Sequence, residues 1–138
     1  MTNLKGKILL IEDEIEESEP LKDLLEDDGY EVQIAVNGID GIEKAINFQP
    51  DVIIMDMLLV QLGDMMDGFE VIKRLRSIET TKKLGIISWT KHYVTTMEEK
   101  RALQKGADDF LRKDVEYGVL EARIKALIRR QREEKRMI

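Results

Sequence analysis

Three short stretches of this chain end in groups that can do chemistry together, and a fourth follows closely. Glu12, Asp13 and Glu14 follow the apolar run Ile8-Leu9-Leu10-Ile11, and Asp56 follows Val52-Ile53-Ile54-Met55. Thr90 closes the stretch Leu84–Trp89, and Lys113 comes shortly after Asp108–Leu111. Two carboxylates about 4 Å apart, at an effective dielectric near 20, repel by roughly 4 kcal/mol. Gathering Glu12, Asp13 and Asp56 therefore requires positive charge among them. Lys113 supplies one unit, and a hard dication with oxygen ligands supplies the rest. Mg²⁺ fits best, because it takes one or two carboxylates and keeps several waters. Mn²⁺ is an acceptable substitute. A carboxylate beside Mg²⁺, a hydroxyl and a lysine form a phosphoryl-transfer site. Asp56 is its nucleophile, the metal and Lys113 neutralise the equatorial oxygens, and Thr90 hydrogen-bonds one of them.

Those groups must be brought to one place by the elements that carry them. Short apolar runs at Lys7–Ile11, Glu31–Val36, Asp51–Met55, Leu84–Trp89 and Asp108–Leu111 alternate with amphipathic segments. That alternation predicts an α/β fold, a (βα)₅ parallel sheet covered by helices. Ligands of such sheets bind outside the carboxyl ends of the strands. Asn37, Asp67 and Thr95 are the expected N-caps of the second, third and fourth helices, and Gly106 closes the fourth. Pro20 is tolerated only in a first turn, so the first helix is expected to start near Ser18 or Glu19. Leu120, Ile124, Leu127 and Ile128 form the buried stripe of the fifth helix. Trp89 alternates with Thr90 and is expected to face away from the site into the core. Met65 and Met66 read as loop residues, and His92 as an exposed loop residue.

The chain has 138 residues, net charge −6 and no cysteine. This excludes a disulfide framework or a thiolate metal site. No apolar run reaches the roughly 20 residues that span a bilayer, and a soluble, cytoplasmic protein with no membrane partner is expected. Residues 129–136 carry five basic and two acidic side chains. The remainder sits near −9, which argues against nucleic-acid binding by the domain itself. Residues 1–128 are expected to form one domain. Residues 129–138 are expected to form a basic C-terminal helix extension or a linker.

The segments ILLIEDE, PDVIIMD followed by MDG, IISWT and GADDFLRK, in that order, resemble the receiver domain of two-component response regulators over about residues 6–128. The resemblance implies a doubly wound, flavodoxin-like sheet with strand order 2-1-3-4-5. It implies phosphorylation of Asp56, with the metal held directly by Asp13, through a water by Glu12, and by the backbone carbonyl of Leu58. Thr90 is the implied switch hydroxyl and Lys113 the phosphate-binding lysine. The backbone N–H of Lys91 would point at the phosphoryl group, and Phe110 takes the place of the switch aromatic. The implied partner is a sensor histidine kinase or phosphotransfer protein. A homodimer through the face of the fourth helix, fifth strand and fifth helix is a further implication.

Three features depart from the family pattern. The loop between Asp56 and Asp67-Gly68 is about four residues longer and lacks a proline. Lys91 stands where a small residue is usual, and Asp114 stands where the family has proline, which makes a cis peptide there unexpected. Such departures leave one alternative, a pseudo-receiver module that binds proteins without phosphorylation. An aspartate-dependent phosphatase fits poorly, because Leu58 occupies the position of its second aspartate. A flavodoxin-type FMN site is also disfavoured, since the first loop offers three carboxylates where a phosphate must sit.

Overall fold

In the computed structural model, residues 3–57, 66–91 and 95–137 are described. The elements are β1 (Gly6–Ile11), α1 (Ile15–Asp27), β2 (Tyr30–Ala35), α2 (Gly38–Phe48) and β3 (Val52–Met55), followed by α3 (Gly68–Ser77), β4 (Gly85–Thr90), α4 (Thr96–Lys105), β5 (Asp109–Arg112) and α5 (Tyr117–Arg136). The five strands are all parallel and ordered β2-β1-β3-β4-β5. Among the described residues no helix is long and apolar enough to cross a membrane.

The continuous apolar runs explain why β1 and β3 lie in the middle. Ile8, Leu9, Leu10 and Ile11 are essentially inaccessible, as are Ile53 and Ile54. A strand buried on both faces has no polar side to alternate with, and each such side chain contributes roughly 1.5–3 kcal/mol. Two apolar layers result. On one sheet face Leu21 and Leu25 of α1 join Leu120, Ile124, Leu127 and Ile128 of α5. On the other, Ala45, Val71, Ile72, Leu75 and Ala102 bring α2, α3 and α4 together.

All three expected N-caps form. Asn37 accepts from the Asp40 N–H at 2.8 Å, Asp67 from Glu70 at 2.9 Å and Thr95 from Glu98 at 3.2 Å. Gly106 ends α4 at φ +124°, a conformation that L side chains rarely adopt. Gly68 serves a different need: a Cβ there would lie 2.7 Å from the Met57 Cα, so only glycine lets α3 begin against the residue following Asp56.

The start of α1 differs from expectation. It begins at Ile15, and Pro20 lies inside it. The first turn is closed by Glu17 and Ser18 N–H groups donating to the Glu14 carbonyl at 3.0 and 3.2 Å. Pro20 deprives the Glu16 carbonyl of its helical donor, but both residues are exposed, so water can take its place. Met66 also departs from the loop reading. It is 7% exposed and packs in the α2–α3–α4 layer. Met65 and His92 lie outside the described residues. The buried stripe of α5 is as expected, and the helix continues to Arg136. Gln131 donates to the Asp51 carbonyl at 2.8 Å and Arg130 to Asp108 at 2.9 Å, so the helix touches the body beyond residue 128.

Candidate functional site

The site grows from the last register pair of two central strands. Ile11 of β1 faces Met55 of β3, so Glu12 and Asp56 leave the sheet side by side. Their backbones are pinned: Glu12 N–H donates to the Ala35 carbonyl at 2.9 Å, and Asp56 N–H to that of Ile11 at 3.1 Å. Both side chains are buried, at 1% and 4% exposure. Asp13 completes the cluster, and one carboxylate oxygen from each of the three lies within 4.8 Å of the others.

Lys113 faces this cluster. Its Nζ lies 3.0 Å from Glu12 Oε2 and 3.1 Å from Asp56 Oδ2. Its backbone N–H donates to the Thr90 carbonyl at 2.6 Å, fixing the residue despite Asp114 in place of proline. Among the described residues no peptide is cis. Burial works against the lysine charge, but Asp56 and Glu12 outweigh it and hold the ammonium above its ordinary value. Burial first, then the charge of Asp56, pushes the Glu12 carboxyl up to about 8, although Lys113 pulls the other way. One lysine thus does not balance the carboxylates gathered here.

That imbalance is the test of metal fit. Three oxygen donors around an under-neutralised volume suit a hard dication, and Glu12, Asp13 and Asp56 are the residues able to hold it. Leu58, whose carbonyl was expected to join them, lies outside the described residues, as do residues 58–65 of the long loop.

Thr90 is fully buried, and its Oγ1 has no hydrogen-bond partner among the described residues. A buried unpaired hydroxyl costs about 1–3 kcal/mol, so it marks a place where an acceptor is missing. Phe110 pairs in register with Ser88. It therefore lies on the same sheet face as Thr90, half-buried against the α2–α3–α4 layer. Trp89 points to the opposite layer as expected, yet Lys113 reaches over its ring, with Nζ 5.0 Å from the centroid. The tryptophan thus packs in the core, facing away from Thr90 as expected, and the Lys113 side chain is what brings it near the site.

Two contacts were missed from sequence. Glu17 approaches Lys113 Nζ at 3.8 Å, and the Lys91 ammonium reaches Glu14 at 3.7 Å across the rim. Starting the first helix near Ser18 leaves Glu17 outside it. Starting at Ile15 places Glu17 within its first turn, four residues after Asp13.

A buried aspartate at a strand end, an acidic pair beside it, and a lysine and hydroxyl from the next strands define a receiver-type signalling domain on a flavodoxin-like sheet. The chain matches the response regulator receiver domain family over residues 8–125 and belongs to it. It is 37% identical to the DNA-binding dual master transcriptional regulator RpaA of Synechocystis, over 90% of this chain and 49% of that protein. It is 33% identical to the response regulator ArlR of Staphylococcus saprophyticus, over 91% of this chain and 53% of that protein. The chain thus spans about half the length of these relatives.

Solved structures agree. A receiver domain from Clostridium thermocellum superposes with TM-score 0.81 at 29% identity, covering 92% of this chain and 97% of that one. Another from Methanospirillum hungatei gives TM-score 0.83 at 27% identity, covering 96% and 99%. These relatives carry the names of signalling regulators rather than enzymes, and they lend no support to the pseudo-receiver alternative.

Proposed function

We propose that this domain is a phosphorylation switch in which Asp56 accepts a phosphoryl group from a phosphohistidine on a sensor kinase or phosphotransfer protein. An Asp56 oxygen forms the new bond to phosphorus as the histidine N–P bond breaks. The electron pair returns to the imidazole, which takes up a proton from solvent. Lys113 neutralises the phosphoryl oxygens, Thr90 donates its hydroxyl to one, and the Lys91 backbone N–H meets another. Glu12, Asp13, Asp56 and the Leu58 carbonyl are the proposed holders of Mg²⁺, with Mn²⁺ as a substitute. When bound, the ion supplies the positive charge that a transferring phosphoryl group requires.

The single observation that carries this reading is the Lys113 ammonium shared between Glu12 and Asp56, one strand from the Thr90 hydroxyl, which has no partner among the described residues. Once Thr90 turns to the phosphoryl group, Phe110 on the same sheet face repacks. The α4–β5–α5 surface then presents itself to a partner or a second copy. Any turnover is limited to self-catalysed phosphorylation and dephosphorylation.

Incubation with Mg²⁺ and acetyl phosphate tests the proposal. Intact-mass measurement should show one added phosphoryl group on the wild type and none on Asp56→Asn. A wild type unmodified both by acetyl phosphate and by its kinase contradicts it.

A further inference from the structure

The helices α1 and α5 cover the same sheet face, and their outward sides carry opposite charges in rows of matching length. On α5, Lys125, Arg129, Arg132 and Arg136 are exposed at intervals of four, three and four residues. At 1.5 Å per residue they form one row about 16 Å long. The row borders a cleft of about 400 Å³ whose apolar lining comes from Leu4, Tyr30 and Ile128.

Lys125 meets Glu121 at 3.1 Å, but the distribution of ion pairs sets the three arginines of this row apart. Arg74, Arg76, Arg112, Arg123 and Arg130 each meet a carboxylate, and Arg101 lies over the Phe69 ring. Arg129, Arg132 and Arg136 have no carboxylate partner among the described residues, and all three line this one cleft.

The complement lies on α1. Glu16, Glu19, Asp23 and Asp27 are exposed at intervals of three, four and four residues, and none has an ion-pair partner among the described residues. Their neighbours Glu14, Glu17 and Glu26 are taken up by Lys91, Lys113 and Lys22. Exposed Leu24, at 49%, lies beside the acidic row and offers an apolar contact.

We propose that α1 of one molecule docks along the α5 cleft of a second copy, with the reverse contact closing a two-fold dimer. The two helices cover the same sheet face, so the contact can be reciprocal rather than open-ended. It is distinct from the α4–β5–α5 face and independent of Asp56 phosphorylation. Exposed ion pairs are individually weak and salt-sensitive, so the dimer is weak and screened by salt.

Sedimentation equilibrium tests this. Association should weaken at least about tenfold as ionic strength rises from about 0.01 M to 0.1 M, while the Debye length falls from about 30 to 10 Å. Arg129→Glu/Arg132→Glu/Arg136→Glu and Glu16→Lys/Glu19→Lys/Asp23→Lys should each be monomeric alone. Mixed in equal amounts they should associate again, which also shows that both are folded. Asp56→Asn and Arg123→Glu should associate like wild type. A wild type monomeric at low salt overturns the proposal. So does failure of the mixed variants to associate, loss of association in Arg123→Glu, or a protein that stays monomeric while the cleft binds a DNA duplex.

Discussion

Lys113 holds two buried carboxylates together, and the charge it leaves unbalanced has a measurable consequence at Glu12. The Glu12 carboxyl is raised from 4.5 to about 8 by burial and by Asp56. The folded, metal-free protein therefore retains a proton that the unfolded chain releases near 4.5. Between those values the folded state binds more protons, so stability falls as pH rises. Thermal unfolding in chelator should show the melting temperature declining across this range, with a flatter profile for Glu12→Gln. An equal decline in both proteins would place the titrating group elsewhere. Thr90 offers a second test at this scale. Its buried hydroxyl has no partner among the described residues, so Thr90→Val, which keeps the shape, should be neutral or stabilising by about 1 kcal/mol in urea unfolding. The same variant should lose the change in partner binding that follows phosphorylation. A loss of several kcal/mol would mean that the hydroxyl is engaged in the resting protein.

Among the elements, Arg76 ties α3 to the sheet edge. Its guanidinium donates to the carbonyls of Gly106, Lys82 and Leu84 and to Asp108 Oδ2. Asp108 in turn accepts from the Ile86 N–H at 2.9 Å and from Arg130. Arg76→Ala should destabilise by about 2–4 kcal/mol, since it leaves partly buried acceptors unmet, and Arg76→Lys should recover only part of that. Urea unfolding measures both. Nothing in the sequence marked Arg76, because most of its acceptors are backbone carbonyls, and Gly106 and Asp108 lie 30 and 32 residues along the chain. The N-caps at Asn37, Asp67 and Thr95 were legible, since capping depends on neighbours three residues away. The strands β1 and β3 were legible from their unbroken apolar runs. The start of α1 was not: whether Pro20 is tolerated depends on the exposure of Glu16, which only the packed molecule decides. Glu17 was missed with it. The order of the sheet came from resemblance, not from periodicity.

For the molecule as a whole, the topology explains why groups separated by a hundred residues meet. Parallel strands deliver Glu12, Asp56, Thr90 and Lys113 to one edge, while the helices seal both faces. Charge is divided in the same way, with carboxylates at the carboxyl ends of the strands and along α1, and on α5 the guanidiniums of Arg129, Arg132 and Arg136, which meet no carboxylate among the described residues. That Asp56, Glu12, Asp13 and Lys113 come together was legible because each follows an apolar run in order. The Lys91–Glu14 contact was not, because it joins two loops. On the proposed function, Asp56 itself carries the phosphoryl group. Borohydride reduction of the protein after treatment with Mg²⁺ and acetyl phosphate, followed by peptide sequencing, tests this most directly, because it converts an aspartyl phosphate to homoserine. Homoserine is expected at position 56 and at no other aspartate. Homoserine at Asp13, or none in a protein whose mass had increased by one phosphoryl group, would contradict it.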